Sequence, residues 1–339
     1  MKENKSKVSS KSTKSSKKSK ANNSSNDYTI ICIDGGGTKT HGVLFIGDEK
    51  KAEYKAGTTR IGSVGVGESC ERTLNVILEL CKSVNISTSD VDVFVVGLAG
   101  VWLESEKRRS LNLIKTLARN DGYVINDLLV TSDVEIAFEG AFGAGEGIVT
   151  IVGTGSIGLA RFGKNKFARC GGWGIELDDE GSGAWVGREG LTAVMRAIDG
   201  RSPYTILVEK LQEIIPTFDI SEPRTIVKAF NERVFEYQSI TPLVMECAEE
   251  GDLVCQNIIE RAAHHLAELP LALLKNFSSK KPVKLALMGG IIDNDTLLSK
   301  MLYEELAKHP ELECIPCKGN AIDGAKQMGL SIISELNKD

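Results

Sequence analysis

Two glycine-rich turns, each lying between two short apolar runs, decide the fold of this chain. The first is YTIICIDGGGTKTHGVLFI at residues 28–46, where the β-branched run before the glycines and the apolar run after them predict a strand–turn–strand unit. The second is IVTIVGTGSIGLARF at residues 148–162. In both, the turn has the pattern Gly-x-Gly followed by a hydroxyl residue. This internal repeat indicates two related domains that face each other.

The chemistry of the two turns suits phosphate. Glycine permits positive φ, so that backbone N–H groups can converge on phosphate oxygens, and the hydroxyl of Thr38 or Ser156 supplies one more donor. Two such turns pointing into one cleft can hold the β- and γ-phosphates of a nucleotide from both sides. The alternative is a pair of ordinary tight hairpins.

The second turn also matches the dinucleotide-binding pattern GxGxxG, at residues 153–158. That motif requires a helix directly after it, whereas here a strand-like run leads into another turn at residues 163–166. The pattern therefore argues against a dehydrogenase. No GxxxxGK[ST] sequence occurs in the chain, which excludes a P-loop NTPase.

Beyond the hairpins, apolar runs alternate with amphipathic stretches, and 339 residues are enough for about two domains. The alternation predicts an α/β fold with largely parallel sheets. We expect strands at 91–96, 128–131 and 284–288, and helices at 104–119, 184–198, 243–275 and about 323–336.

The first 26 residues contain eight lysines, one glutamate and almost no apolar residue, although the whole chain has a formal net charge of −5. Because such a segment cannot bury a core, we expect a disordered tail. Its lysines can bind nucleic acid or act as an address, or the tail is merely solvated. The acidic body argues against nucleic acid as the main ligand. No apolar run is long enough for a membrane span or a signal peptide, so we expect a cytoplasmic protein without a membrane partner.

The eight cysteines are scattered, apart from the pair Cys314 and Cys317. A lone CxxC can be redox-active or can form half of a metal site. The chain has no second CxxC and only four histidines to complete such a site. We therefore expect ordinary reduced cysteines.

Two aspartates and one loop are candidates for chemistry. Asp34 opens the first turn, where a carboxylate can hold Mg²⁺ through the water shell of the ion or can simply favour the turn. Asp133 follows a predicted strand at the sheet edge where α/β proteins place their chemistry, or it caps the next helix. The glycine-dense, acidic loop at 170–183 can present polar groups to a hydroxyl-rich ligand or can cap the following helix.

Six short motifs carry a resemblance to a known family. In their order and spacing they resemble the N-acetylglucosamine kinase family, which belongs with actin, the hexokinases and the heat-shock chaperone ATPases and is related to the ATPase subunits of benzoyl-CoA reductase. The resemblance covers Tyr28 to about Leu336. The motifs are DGGGTKT at 34–40, GLAG at 97–100, SD at 132–133, GTGS at 153–156, GGWG at 171–174 and DEGS at 179–182.

The resemblance implies an α/β fold of two actin-like (ribonuclease H-like) domains with a cleft for ATP and sugar between them. The expected boundaries are 27–142 for the N-terminal domain and 143–322 for the C-terminal domain, with the C-terminal helix at about 323–339 joining the first. It also implies transfer of the γ-phosphate of Mg-ATP to the 6-hydroxyl of an amino sugar. Dimers are usual in the family, so a homodimer is expected.

The resemblance also assigns roles to individual residues. Asp133 matches the general base of the family, and Asp34 is the expected Mg²⁺ site. ATP and its phosphates would be bound by Gly36, Gly37, Thr38, Lys39, Gly153, Thr154, Gly155, Ser156, Gly289 and Gly290. The sugar would be bound by Ser63, Asp133, Thr154, Gly172, Trp173 and Asp179.

Two departures from the family pattern bear on the substrate. Where the family often has an asparagine that reaches the sugar, this chain has a loop at 58–65 that contains Arg60. Gly183 replaces a common alanine near the N-acetyl pocket, which predicts a roomier pocket. Since Arg60 could pair with the lactyl carboxylate of N-acetylmuramic acid, that sugar and N-acetylglucosamine are both candidates. The alternatives are an ATPase activator of a redox enzyme, a kinase for glucosamine or another hexose, and a sugar sensor.

Overall fold

The computed structural model describes residues 28–163, 166–278 and 281–338. The tail predicted at 1–26 lies outside these residues. We call residues 28–142 the first half of the molecule. Its elements are β1 (Thr29–Gly35), β2 (Lys39–Ile46), β3 (Glu49–Gly57), α1 (Ile61–Ser83), β4 (Val93–Leu98), α2 (Glu104–Asn120), β5 (Asp127–Ser132) and α3 (Asp133–Phe142).

The second half comprises residues 147–314, and a final helix, α11 (Ala321–Leu336), follows it. Its strands are β6 (Gly147–Val152), β7 (Ser156–Phe162), β8 (Lys166–Gly171), β9 (Val283–Met288) and β10 (Leu312–Cys314). Its helices are α4 (Gly183–Ile198), α5 (Leu207–Ile214), α6 (Arg224–Asn231), α7 (Tyr237–Glu249), α8 (Leu253–Leu273), α9 (Gly290–Asp293) and α10 (Leu297–Leu306). No helix in the described part of the chain combines the length and the hydrophobicity needed to cross a membrane.

The two halves repeat one sheet topology. The strand order is β3-β2-β1-β4-β5 in the first sheet and β8-β7-β6-β9-β10 in the second. In each, the first three strands along the chain pair antiparallel and the last two add in parallel. The α/β prediction is therefore confirmed, but the expectation of largely parallel sheets is wrong. Both sheets are mixed, because each glycine turn and the turn after it join adjacent antiparallel strands.

The predicted helix at 243–275 is two helices in the structure. α7 ends at Glu249, and Gly251 adopts a φ of 96°, a backbone conformation that interrupts an α-helix. Asp252 then caps α8, because its Oδ1 accepts hydrogen bonds from the N–H groups of Val254 and Cys255, both at 2.9 Å. The Gly-Asp pair between two apolar helical stretches is the signal that separates them.

The central strands of the first sheet, β1 and β4, are buried on both faces. Ile31 and Ile33 of β1 belong to the core that α1 and α2 cover, whereas Ile30 and Cys32 belong to the core with α3 and α11. A strand covered by helices on both faces needs apolar residues at successive positions, which explains the unbroken apolar run before the first turn. The C-terminal helix thus packs on the first sheet. The domain boundaries stay a prediction.

Two glycines let α3 and α11 cross in close contact. A Cβ atom on Gly140 would lie 2.0 Å from the carbonyl oxygen of Asn320. A Cβ atom on Gly324 would lie 1.9 Å from the carbonyl oxygen of Ile136. Neither distance is possible without movement of the backbone. The chain passes between its halves next to this crossing, where the Lys318 N–H donates to the carbonyl oxygen of Ala141 at 3.1 Å, so the two connecting segments are held side by side.

We expect Gly324→Ala to lower the free energy of unfolding by about 3 kcal/mol, since the added methyl group must displace the backbone of α3. Urea unfolding of both proteins measures the difference. Gly67→Ala is the matched control, because Gly67 lies in α1 with open space around its Cα atom. It should leave the stability unchanged or raise it by up to about 1 kcal/mol. Equal stability of Gly324→Ala and the wild-type protein would contradict the close crossing.

Candidate active site

A cavity of about 690 Å³ lies between the two sheets and contains most of the predicted site residues. The first half contributes Asp34, Gly36, Gly37, Arg60 and Asp133 to its lining. The second half contributes Gly153, Thr154, Gly155, Ser156, Gly172, Trp173, Asp179 and Gly289. A second cavity, of about 610 Å³ and lined by α4 and α8, contains none of them.

The tips of the two glycine hairpins meet beside this cavity. Thr38 Oγ1 of the first tip lies 2.8 Å from Thr154 Oγ1 of the second. The tip of the second hairpin is oriented by α4, since the carbonyl groups of Gly153 and Thr154 accept hydrogen bonds from the first residues of that helix at 2.8 and 3.0 Å. In a trans peptide the following N–H points the opposite way. The N–H groups of Thr154 and Gly155 therefore point away from α4.

The first tip requires a glycine where it approaches the neighbouring strand. A Cβ atom on Gly35 would lie 2.4 Å from Thr59 Oγ1 and 2.9 Å from the carbonyl oxygen of Gly97. The tip is closed by a hydrogen bond from the N–H of Gly36 to the carbonyl oxygen of Lys39 at 3.0 Å. Gly35 is therefore packed against the end of β4, and only a glycine fits at this position.

Two aspartates of the first half lie together in the cavity. Asp34 is the last residue but one of β1, and Asp133 is the first residue of α3, directly after β5. Both strands pair in parallel with β4, so their carboxyl ends lie at the same edge of the sheet. Burial raises the pKa of Asp34 to about 6, against the opposing charge of Lys39. Burial and then the charge of Asp34 raise the pKa of Asp133 to about 7, against a hydrogen bond from the Val134 N–H and the charge of Arg60. A carboxylate with such a pKa is suited to accept a proton near neutral pH.

The carboxylate of Asp133 is not used to cap its helix. Ser132 is the N-cap of α3, because its Oγ accepts a hydrogen bond from the Glu135 N–H at 3.1 Å. In turn, Glu135 Oε2 accepts a hydrogen bond from the Ser132 N–H at 2.9 Å, and the Glu135 carboxylate pairs with Lys107 at 2.8 Å. The alternative that Asp133 caps the helix is therefore wrong. These contacts fix the first turn of α3 and leave the Asp133 side chain in the cavity.

The loop after β8 forms one wall of the cavity. Gly172 and Gly174 have φ values of 75° and 95°, and Asp179 has a φ of 59°, which is uncommon for a residue with a side chain. Asp179 is buried, and its Oδ1 accepts a hydrogen bond from the Ser156 N–H at 3.4 Å. Burial raises the pKa of Asp179, while that N–H and the charge of Arg60 oppose the shift. Asp179 thus lies directly against the second hairpin tip.

A model of the BadF/BadG/BcrA/BcrD ATPase family matches residues 31–322. The chain belongs to this family. It is 30% identical over 304 residues to the N-acetylmuramic acid/N-acetylglucosamine kinase of Clostridium acetobutylicum, which covers 87% of this chain and 96% of that protein. It is 28% identical over 311 residues to the N-acetyl-D-glucosamine kinase of Dictyostelium discoideum, covering 86% of this chain and 96% of the relative.

Solved structures share the fold at lower identity. A proposed N-acetylglucosamine kinase from Chromobacterium violaceum superimposes with a TM-score of 0.70 at 23% identity, covering 90% of this chain and 99% of that one. A ROK family glucokinase from Streptomyces griseus, solved with glucose and AMPPNP, gives a TM-score of 0.56 at 14% identity, covering 89% and 99%. The predictions of the family and of a two-domain, actin-like α/β fold are therefore confirmed. Since the family is one of ATPases, ATP is the nucleotide.

Several predicted site residues lie outside the cavity. Ser63 is exposed in the first turns of α1 and does not line the cavity, so its proposed contact with the sugar lacks support from the geometry. Thr38 and Lys39 are exposed at the first hairpin tip, and Gly290 begins α9 behind Gly289. Gly183 faces the carbonyl oxygen of Gly153, which a Cβ atom there would meet at 3.1 Å. Gly183 does not itself line the cavity, so its effect on the size of the sugar pocket stays a prediction.

Several further residues line the cavity, and little in the local sequence pattern marks them. Trp102 and Glu106 of the first half, and Arg169 and Asp293 of the second, all line the cavity, as does Asn320 before α11. Arg169 occupies β8 at a position that alternation alone could not assign to the cavity. Asp293 lies three residues after the predicted adenosine-side glycines, which is the one signal that could have found it.

Proposed function

We propose that this chain transfers the γ-phosphate of ATP to the 6-hydroxyl of an amino sugar, N-acetylglucosamine, N-acetylmuramic acid or both. The observation that carries the proposal is Asp133, a carboxyl with a pKa of about 7 in the cavity that two phosphate-type hairpin tips border. The names of the two curated relatives support the substrate class.

In the proposed complex, the two hairpin tips hold the β- and γ-phosphates, and Gly289 lies beside the adenosine. Gly289 has a φ of 108°, and a Cβ atom on it would lie 2.4 Å from the carbonyl oxygen of Val152. This glycine therefore packs against the strand that leads into the second tip. Its packing keeps the nucleotide wall of the cavity free of a side chain.

The residues present fit a magnesium ion held mainly by phosphate. Asp34 supplies oxygen atoms beside the first tip. The described residues contain no group of three or more His, Cys, Asp or Glu side chains that could hold a metal ion by themselves. Mg²⁺ in nucleotide sites is usually held by one or two carboxylates plus phosphates and water. When bound, the ion neutralises charge on the phosphates.

Phosphoryl transfer requires in-line positioning and charge stabilisation more than covalent chemistry from the protein. Asp133 accepts the proton of the attacking sugar hydroxyl. The backbone N–H groups of the tips and the hydroxyl of Thr38 stabilise charge on the transferred group. The sugar is oriented by Thr154, Gly172, Trp173 and Asp179. The buried carboxylate of Asp179 accepts hydrogen bonds from the sugar hydroxyl groups.

The test is ADP release by the purified protein with Mg-ATP and a panel of N-acetylglucosamine, N-acetylmuramic acid, glucosamine and glucose. A rate stimulated by either N-acetylated sugar supports the proposal, and NMR of the product identifies the phosphorylated hydroxyl. ADP release that does not depend on sugar would instead favour an ATPase activator of a redox partner. No release, with sugar still bound in calorimetry, would favour a sensor. Stimulation only by glucosamine or glucose would show that the substrate is a hexose without an N-acetyl group.

The cysteines do not favour the activator alternative. Cys314 is exposed and Cys317 half-buried, and partial desolvation raises the pKa of both thiols. In the described residues, all eight cysteines are free. A cytoplasmic location and a homodimer are part of the proposal. Light scattering of the purified protein measures the oligomeric state.

Arg60 is the proposed determinant for N-acetylmuramic acid. It lines the cavity, its charge reaches Asp133 and Asp179, and no carboxylate of the described residues lies within ion-pair distance of it. Its Nη2 lies 3.9 Å from the position of a Cβ atom on Gly174, a residue that leaves space beside the guanidinium. A carboxylate on the sugar can therefore reach it without displacing a partner.

We expect Arg60→Ala to lower kcat/KM for N-acetylmuramic acid relative to N-acetylglucosamine by about tenfold or more, the value of a charge-assisted hydrogen bond. The ratio isolates the contact with the carboxylate, because effects through the charges of Asp133 and Asp179 act on both sugars alike. Arg60→Lys is the control and should retain part of the preference. An unchanged ratio of the two kcat/KM values in Arg60→Ala would contradict the role of Arg60 as the determinant for N-acetylmuramic acid.

A further inference from the structure

Three side chains form a stack at the wall of the cavity. The guanidinium carbon of Arg169 lies 4.0 Å from the ring centre of Trp173 and 5.2 Å from that of Trp102. Arg169 and Trp173 belong to β8 and the loop after it, whereas Trp102 lies between β4 and α2 in the first half. One cation therefore contacts an indole from each half of the molecule. Such contacts are attractive because the face of an indole is electron-rich.

The guanidinium is held in place by its own segment. Its Nε donates to the carbonyl oxygen of Gly171 at 3.0 Å, and its Nη2 donates to that of Gly172 at 2.8 Å. No carboxylate of the described residues lies within ion-pair distance of it. Burial lowers its pKa, but the charges of Asp178, Asp179 and Glu106 oppose this. Since arginine stays charged in proteins, a fixed cation is available to both indoles.

Within the described residues, the hydrogen bonds of this cavity wall all come from the second half of the molecule. Gly171, Gly172 and Gly174 all have positive φ, and the side chain of Trp173 is 63% exposed. Apart from Arg169, the wall is held by hydrogen bonds from the Trp173 N–H to Asp178 Oδ2 at 3.1 Å, from the Asp178 N–H to the carbonyl oxygen of Gly174 at 2.7 Å, and from Arg188 Nη1 to that of Ile175 at 2.8 Å. A glycine-dense segment of this kind has many accessible conformations. Its distance from Asp133, which lies in the other half, therefore depends on contacts between the halves.

We propose that Arg169 is a positioning residue that bridges Trp102 and Trp173 and thereby holds the sugar-binding wall against the half of the molecule that carries Asp133. This inference rests on the proposed function. Arg169 does not contact the reacting atoms in this role. It sets where Gly172 and Trp173 present the sugar, so its loss weakens sugar binding more than it slows the chemical step.

Steady-state kinetics of four variants test the bridge: Arg169→Met, Arg169→Lys, Trp102→Leu and the double variant of Trp102→Leu with Arg169→Met. The assays use saturating Mg-ATP and the sugar with the highest wild-type rate. For Arg169→Met and Trp102→Leu we expect the sugar KM to rise about three- to thirty-fold, which corresponds to one such contact, with kcat within about threefold. Arg169→Lys should recover part of the loss. Because both single changes break one bridge, the double variant should be within about twofold of the worse single variant.

Arg188→Met is the matched control. Arg188 Nη1 donates to the carbonyl oxygen of Ile175 in the same loop at 2.8 Å, but Arg188 does not line the cavity. A KM shift in this control as large as that of Arg169→Met would mean that any anchor of the loop suffices, which overturns the bridge. The bridge would also be overturned if the KM increases of the two single variants multiplied in the double variant. A fall in kcat at constant KM, or wild-type kinetics in Arg169→Met, would overturn it as well. If Arg169→Met does not fold, Arg169→Lys and Trp102→Leu decide by the same criteria.

Failure of the proposed function has a different signature. In that case the wild-type protein itself shows no sugar-stimulated turnover, and the role of Arg169 falls with it. If the wild-type protein is active and the variants do not differ from it, only the bridge is overturned.

Discussion

We expect Asp133→Asn to lower kcat for sugar phosphorylation by about 10²–10⁴-fold, the contribution of a positioned general base. Asparagine has nearly the same shape and keeps an oxygen for the Val134 N–H, which donates to Asp133 Oδ1 at 3.0 Å. It cannot accept a proton from the sugar hydroxyl. The affinity for the sugar should therefore stay within several-fold of the wild-type value. A coupled assay of ADP release measures kcat, and calorimetry measures sugar binding.

The pH dependence separates loss of a base from loss of structure. Only ionised Asp133 can accept the proton, and its pKa is about 7. In the wild-type protein, kcat/KM should therefore rise with pH up to about 7 and level off above it, and Asp133→Asn should lack this limb. Glu180→Gln is the control, because Glu180 is exposed in the acidic loop and does not line the cavity. Its activity should stay within about twofold. Normal turnover in Asp133→Asn would defeat the assignment of Asp133 as the base.

The features that the sequence predicted well are local ones. The two glycine turns, the apolar strands before them and Asp34 lie close together along the chain, so their pattern directly encodes the hairpins. The repeat of the pattern predicted the repeat of the sheet topology. The position of Asp133 also followed from a local rule, since it comes directly after a buried strand.

The features that the sequence did not predict depend on how distant segments meet. Trp102 and Arg169 lie in different halves, and only their packing brings the indole and the guanidinium together. The elevated pKa of Asp133 depends on burial and on Asp34, which is also distant from it along the chain. Gly183 illustrates the same point, because a family comparison at one position does not tell which neighbour that position faces, here the carbonyl oxygen of Gly153.

The pairing of Asp34 and Asp133 has a consequence for stability as well as for activity. Both carboxyls have a pKa above the ordinary value of 3.8, about 6 for Asp34 and about 7 for Asp133. A carboxyl with a higher pKa in the folded chain than in the unfolded chain binds more protons when folded. The free energy of unfolding therefore falls as the pH rises between about 4 and 7. At neutral pH the two charges oppose folding, and this cost accompanies the catalytic arrangement.

We therefore expect Asp133→Asn, the variant that loses activity, to be more stable than the wild-type protein at pH 8. The gain should be on the order of 2–4 kcal/mol, the free-energy equivalent of a pKa shift of about three units. At pH 4 the two proteins should differ little, since Asp133 is then protonated in the folded wild-type chain. Urea unfolding at both pH values, without nucleotide and with a chelator present, measures the difference. A variant that is less stable at pH 8, or a difference in stability that does not depend on pH, would contradict the raised pKa of Asp133.

The double variant of Asp34→Asn with Asp133→Asn distinguishes repulsion between the carboxylates from simple burial. Each single change removes the cost of burying one charge and also the repulsion between the two. The gains of the single variants should therefore add up to more than the gain of the double variant, by the amount of the repulsion. Simple burial without repulsion predicts additive gains. Because the charge of Asp34 contributes to the raised pKa of Asp133, Asp34→Asn should also move the limb of any pH profile that reports Asp133 to lower pH.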